Sequence, residues 1–252
     1  MWHRLQRHPI SVKAFFRHSL VLTYALPRET LQPLLPPGLV LDTFGEFGFV
    51  AIALVQTESL RPAFLPRSLG HDFFLSGHRI FARFTTASGR TLRGLRILRS
   101  DTNRPLMAFF GNVFTHYGYR RATVKFTATD RLLEIQVSTS NAEADLHVLA
   151  RLDAPGTSLP PGSPFPHFHQ ARLFAGPLPF TFDYEPQTHS IVMIEGVRQN
   201  WHPQPAEVEV RRNTFFDHAP FRGAPVVLAN AFHLADVPYR WRRGVVERLP
   251  RV

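Results

Sequence analysis

Chemistry-bearing residues concentrate in the stretch 109–125, FFGNVFTHYGYRRATVK, where an aromatic helical pattern gives way to a basic strand pattern. His116 is of the type that moves protons near neutral pH, and Tyr119 offers a phenol. Arg120 and Arg121 offer permanently charged guanidinium forks suited to a carboxylate or an enolate. Arg79 and Arg96, from an arginine-rich hairpin upstream, are further groups expected to grip an anion, and Glu58, closing a buried apolar run, is the matching acid or base. On this reading His116, Tyr119 and Glu58 are catalytic, while Arg120, Arg121, Arg96 and Arg79 bind substrate. The competing reading pairs these arginines with the chain's few acids, such as Glu46, Glu58 and Asp101, and leaves them as rim charges.

Lys13 and Lys125 are the only lysines, so amine chemistry has two places to occur. Lys125 lies four residues past Arg121 and shares its face on an alternating strand. Cysteine is absent, which excludes disulfides, thiolate metal sites and cysteine nucleophiles. His167 and His169, with His189 and His202, offer imidazoles, and a strand would put the first two on one face. A helix is expected there instead, in which residues two apart diverge, so no metal is assigned. Glycine-rich phosphate loops, nucleophile elbows and metalloprotease motifs are missing, and no cofactor is expected.

These groups need a scaffold, and 252 residues with 23 phenylalanines can bury a substantial core. A single domain over 1–252 is expected, with 1–18 an N-terminal arm or short helix and 153–166 an internal loop. The net charge of +10 is almost all arginine and favours polyanions, anionic membrane surfaces or anionic substrates. Arginines and aromatics interleave at 83–104 and 239–243, but the basic residues are spread along the chain and no nucleic-acid motif is visible, which argues against that partner. No apolar run reaches signal-peptide or membrane-span length, so a cytoplasmic protein with a small-molecule ligand is expected, homo-oligomerisation being left open.

In order, 19–26 is β-prone, 30–35 is a short helical pattern stopped by Pro36-Pro37-Gly38, and 39–44 and 47–57 read as a hairpin. The second of these runs, FGFVAIALVQ, is apolar on both faces and reads as a buried central strand. A loop at 59–70 is long enough for a lid. Strands 78–86 and 91–100 form a second hairpin around Ala87-Ser88-Gly89-Arg90, and Pro105 opens a helix whose greasy stripe is Phe109, Phe110, Val113 and Phe114. Strands follow at 119–128, 131–140, 144–152, 180–184, 190–197 and 206–212, with a helix at 168–174 and an apolar run at 225–234. About ten strands with three short helices make a mainly antiparallel α+β domain, closed or nearly closed.

Several of these stretches, in this order, resemble the acetoacetate-decarboxylase-like superfamily, and more closely its bacterial branch, the domain of unknown function 2071 (YqjF-like) family. Thr30-Leu31-Gln32-Pro33-Leu34-Leu35-Pro36-Pro37-Gly38-Leu39 through Asp42-Thr43-Phe44-Gly45 is similar to that family's opening, and His78-Arg79-Ile80-Phe81 with Arg93-Gly94 to its central hairpin. Gly118-Tyr119-Arg120-Arg121-Ala122 resembles its "L-P-Y-R-x-A", and Trp201-His202-Pro203-Gln204-Pro205 a late "H-x-P-W-P" element. The resemblance implies a β-barrel or cone around a small-molecule pocket, with helices outside. In the decarboxylases a lysine beside a second lysine forms a Schiff base with a β-keto acid. Here Arg120 and Arg121 stand at that place, and a guanidinium cannot be that nucleophile. The expectation is therefore a pocket for a small anionic or keto-acid-like molecule without Schiff-base decarboxylation, serving either proton-transfer or lyase-like chemistry or ligand binding alone, with polyanion binding the third reading.

Overall fold

The structure is a computed structural model that describes residues 2–155, 159–176 and 178–250. Thirteen strands dominate it: β1 (Val12–Pro27), β2 (Leu39–Leu41), β3 (Phe47–Pro62), β4 (His71–Thr85), β5 (Thr91–Thr102), β6 (Tyr119–Ala128), β7 (Leu132–Thr139), β8 (Leu146–Pro155), β9 (Phe180–Glu185), β10 (Ser190–Arg198), β11 (Gln204–Asn213), β12 (Val227–Trp241) and β13 (Val245–Arg248). Three helices accompany them, α1 (Arg28–Leu31), α2 (Pro105–Phe114) and α3 (Phe168–Ala175). No helix is long and apolar enough to cross a membrane among the described residues.

Strand pairing closes a ring. β1 pairs with β3, β3 with β4, β4 with β5, β5 with β9, β9 with β10, β10 with β12 and β12 with β1. Only the β5–β9 joint is parallel. At that joint a Cβ on Gly94 would stand 2.5 Å from the Phe180 carbonyl oxygen and 2.7 Å from the Phe182 ring. A glycine is therefore required where the ring closes. Gly94→Ala is expected to destabilise the protein by about 1–3 kcal/mol, read as a lowered urea midpoint, because backbone cannot yield as a side-chain tip can.

β2 and β13 flank the ring on β4 and β10, and β6, β7, β8 and β11 form an outer layer, tied to the ring by three parallel pairs between β5 and β6 and two pairs between β11 and β12. The apolar alternation of β3 explains the sandwich. Val50, Ile52 and Leu54 face the outer layer and pack with Leu20, Leu22, Leu133, Ile135 and Val148 in the largest core. Phe49, Ala51, Ala53 and Val55 face the ring interior, where α3 and Phe165 pack on Phe49 and Phe81 at one end.

Several boundaries differ from the sequence reading. β1 already begins at Val12, so the arm spans less than 1–18, and Lys13 is an exposed position within that strand. The runs 39–44 and 47–57 do not pair as a hairpin: β2 pairs with β4, and only a Phe44–Phe47 bridge joins the two runs. β3 extends through Pro62, which shortens the 59–70 loop. The 153–166 loop begins later, since β8 runs to Pro155, and its residues 156–158 lie outside the described residues. The buried central strand, the second hairpin, the Pro105 helix and the 168–174 helix are found as expected.

Candidate functional site in the ring interior

One transverse row of the ring wall carries buried polar side chains that face inward. Asn230 stands opposite Thr23, Thr23 opposite Ala51, Ala51 opposite Arg79, and Arg79 opposite Ile97. Residues directly opposite in a ladder share a face, so Asn230, Thr23 and Arg79 all project into the ring. Thr23 and Asn230 are fully buried, yet among the described residues the Thr23 hydroxyl and both polar atoms of the Asn230 amide lack hydrogen-bond partners. Such groups are costly unless something meets them.

Arg79 is the centre of this row. The next row is small, Ala53 opposite Gly77, and the guanidinium folds back over Gly77, where a Cβ would lie 3.0 Å from Nη2. Among the described residues Arg79 has no ion pair, in contrast to most of its neighbours in β4 and β5. Burial lowers its pKa, and the phenols of Tyr239, Tyr119 and Tyr117 are the groups close enough to act on it. The side chain nonetheless keeps partial exposure.

Three tyrosines surround the guanidinium. Tyr117 and Tyr119 enter from the corner between α2 and β6, their rings 6.2 Å apart. Gly111 permits this entry, since a Cβ there would stand 2.3 Å from the Tyr119 ring. Tyr239 comes from β12, stacked on Phe16 at 4.6 Å, with its hydroxyl over Gly196. Burial pushes Tyr119 up to about 12 and raises Tyr117 well above the ordinary phenol range. Both are therefore neutral donors at physiological pH.

Nearby, Asp183 is fully buried and bonded to Arg96, and burial raises its carboxyl to about 6. Its second oxygen has no hydrogen-bond partner among the described residues. His116 is half-buried, its Nε2 4.0 Å from Glu185, and burial lowers its pKa so that the imidazole is neutral at pH 7. Glu185 is clamped by Arg7 at 2.9 Å and drops to about 2. The Arg79 cation and the neutral phenols form a set that can hold a carboxylate, and the His116 imidazole beside Glu185 is of the type that exchanges a proton.

The residues singled out by sequence divide on this geometry. Arg79 and Tyr119 come together inside the ring, with His116 near the rim. Arg96 is committed to Asp183. Glu58 is bound by Arg17 at 3.0 Å and by Arg67 at 3.5 Å. Arg120 and Arg121 are both exposed, on opposite faces of β6 at the point where it leaves the ring, and Arg120 pairs with Glu143 at 3.0 Å. Lys13 and Lys125 are exposed as well. His167 caps α3 by accepting from the Gln170 amide, and His189 bonds the Tyr184 hydroxyl at 2.9 Å. Among the described residues no three His, Asp or Glu side chains gather as a metal site.

Sequence reasoning missed Thr23, Asn230, Tyr117 and Tyr239. Their signal is a lone polar residue within an apolar strand, as in Leu22-Thr23-Tyr24 and Ala229-Asn230-Ala231. A separate concavity of about 630 Å³, lined by Tyr24, Val210, Asn213, Phe216, Arg222 and Leu228, lies between the ring wall and the outer layer. It borders none of the residues named from sequence.

Comparison with known proteins agrees with the ring. The family model described as DUF2071, an uncharacterized conserved protein, matches residues 13–238. No curated protein matches the chain. Among solved structures, acetoacetate decarboxylase from Legionella pneumophila superposes with a TM-score of 0.61 at 11% identity, covering 94% of this chain and 87% of that one. An acetoacetate decarboxylase-like enzyme from Sphingomonas wittichii RW1 gives 0.58 at 14% identity over 96% and 93%. The enduracididine biosynthesis enzyme MppR complexed with pyruvate gives 0.56 at 10% identity over 94% and 90%. At these identities the likeness is one of fold.

Proposed function

The chain belongs to the DUF2071 family, and from that premise we propose that the ring interior binds a small carboxylate of the keto-acid type, with the Arg79 guanidinium as its counter-ion. The observation that carries this reading is Arg79 itself: a guanidinium set deep in the fold, without an anionic partner among the described residues, in a row whose other polar groups are orphaned. Free guanidinium groups at such depth are expensive, and an anionic ligand supplies the missing partner. Tyr119 and Tyr117 would donate to the ligand's oxygens, and Thr23 and Asn230 would fix its other end. His116 is the group suited to moving a proton, although ligand binding alone satisfies the geometry equally well. Arg120, Arg121, Arg96 and Glu58 are left out of this reading because each is exposed or already paired.

Covalent decarboxylase chemistry is left out too, since both lysines are exposed. Titration calorimetry with pyruvate and with its uncharged methyl ester tests the proposal. Pyruvate should bind and the ester should bind at least about tenfold more weakly, since a charge-assisted bond is at stake. Borohydride treatment in the presence of pyruvate should leave the mass of the protein unchanged. Equal affinity for acid and ester would overturn the carboxylate reading, and an adduct on Lys125 would overturn the non-covalent one.

A further inference from the structure

Antiparallel order brings one set of strand ends to a single rim of the ring. β1 starts there opposite the end of β3, β4 starts and β5 ends there, and β12 ends there opposite the start of β1. Consequently the entry segment before β1, the loop after β3 and helix α2 all sit on this rim. The Ala63 amide donates to the Ser11 carbonyl, the His8 amide to the Phe114 carbonyl, and Gly244 to the His8 carbonyl, which bind these pieces together.

This rim is unusually apolar for an exposed surface. Phe64 is 77% exposed, Leu69 65%, Phe109 63%, Leu106 58% and Phe110 50%, and Ile10 adds to them. Here α2 inverts the sequence expectation: its buried residues are Met107, Ala108 and Gly111, while Phe109 and Phe110 of the greasy stripe point outward. The same rim is basic. Arg4, Arg104, Arg240 and Arg243 are exposed and have no ion pair among the described residues. Of its carboxylates, Glu185, Glu195 and Glu58 are paired with Arg7, Arg242 and Arg17, and Asp72 accepts from the Ser59 amide.

We infer that this rim docks on the surface of an anionic lipid bilayer. Large exposed apolar patches mark interaction surfaces, and aromatic side chains beside unpaired arginines match an interface where acyl chains lie under negative headgroups. A second copy is a poor occupant, because each chain carries +10 and would meet its partner basic rim to basic rim. Neither half of the signal suffices alone. Each basic residue near such a surface contributes about fivefold in partitioning, and the exposed rings supply the remainder.

Vesicle co-sedimentation tests the inference, using phosphatidylglycerol–phosphatidylcholine and pure phosphatidylcholine vesicles at low and high salt. The intact chain should pellet with the anionic vesicles, less so as salt rises, and stay in solution with the neutral ones. Phe109→Ser with Phe110→Ser should weaken that partitioning at least about tenfold while leaving the thermal midpoint and the pyruvate isotherm in place. Arg104→Ala with Arg243→Ala, which touches no packed side chain, provides a second variant with the same expectation. Failure to pellet at low salt would overturn the inference, as would anionic binding that survives both double substitutions. Self-association abolished by the phenylalanine pair, without vesicle binding, would reassign the rim to contacts between copies.

Discussion

Arg79→Met should lower affinity for pyruvate at least about a hundredfold while raising the thermal midpoint by several degrees. The two effects have opposite signs for one physical reason. Among the described residues the guanidinium sits beside phenols and has no ion pair, and burial lowers its pKa. That state costs free energy which an apolar side chain of similar length does not incur. Relief of about 1–2 kcal/mol corresponds to roughly 2–8 °C in a chain of this size. With the ligand present, the balance reverses. A bidentate charge-assisted pair inside a low-dielectric site is worth about 2–3 kcal/mol, which is the stated hundredfold. Calorimetric titration and a thermal melt on the same preparation measure both. A residue of merely structural importance would lose stability and leave affinity in proportion. A lowered midpoint with unchanged pyruvate binding would remove Arg79 from the site.

The sequence exposes the ring far better than it exposes the site. FGFVAIALVQ could only be a strand covered on both faces, and Pro105 could only begin α2. Local rules decide such elements. The fate of each arginine is decided elsewhere, by which acid the tertiary fold delivers. Arg96 looked free in the sequence, but its partner Asp183 is 87 residues away on β9. Arg99 finds Asp101 two residues along, at 2.7 Å, because a register shift in β5 turns it toward the outer layer. Arg79 differs from both in what it lacks, and a missing partner is invisible until every strand is in place. Position 120 illustrates the converse. Alternation correctly puts Arg120 and Arg121 on opposite faces of β6, but both faces are open there because the strand departs from the ring wall. The corner at 109–125 does reach the interior, through Tyr117 and Tyr119 rather than through its charges.

Glu185→Gln is the substitution expected to cost most stability without touching the guanidinium. The Glu185 side chain is fully buried and receives Arg7 Nε at 2.9 Å, the Arg7 Nη2 at 2.5 Å and the Thr188 hydroxyl. The Arg7 bond is the chief reason its carboxyl lies at about 2 rather than 4.5. A carboxylate held that low binds its proton less readily folded than unfolded, so its contribution is present in full above pH 4.5 and disappears as the pH falls toward 2. The gap amounts to roughly 3 kcal/mol at neutral pH. Urea unfolding should therefore show the glutamine variant about 2–3 kcal/mol less stable at pH 7, with the difference shrinking below pH 4.5 and closing near pH 2. A deficit independent of pH would mean that packing, not the ion pair, is responsible. The same charge raises the pKa of His116 against the larger lowering by burial. Its removal should move the imidazole's titration to lower pH, a shift that a proton NMR titration can follow separately from stability. Arg7 is the tie between the entry segment and the ring, so one carboxylate holds the entry segment and the rim that carries α2.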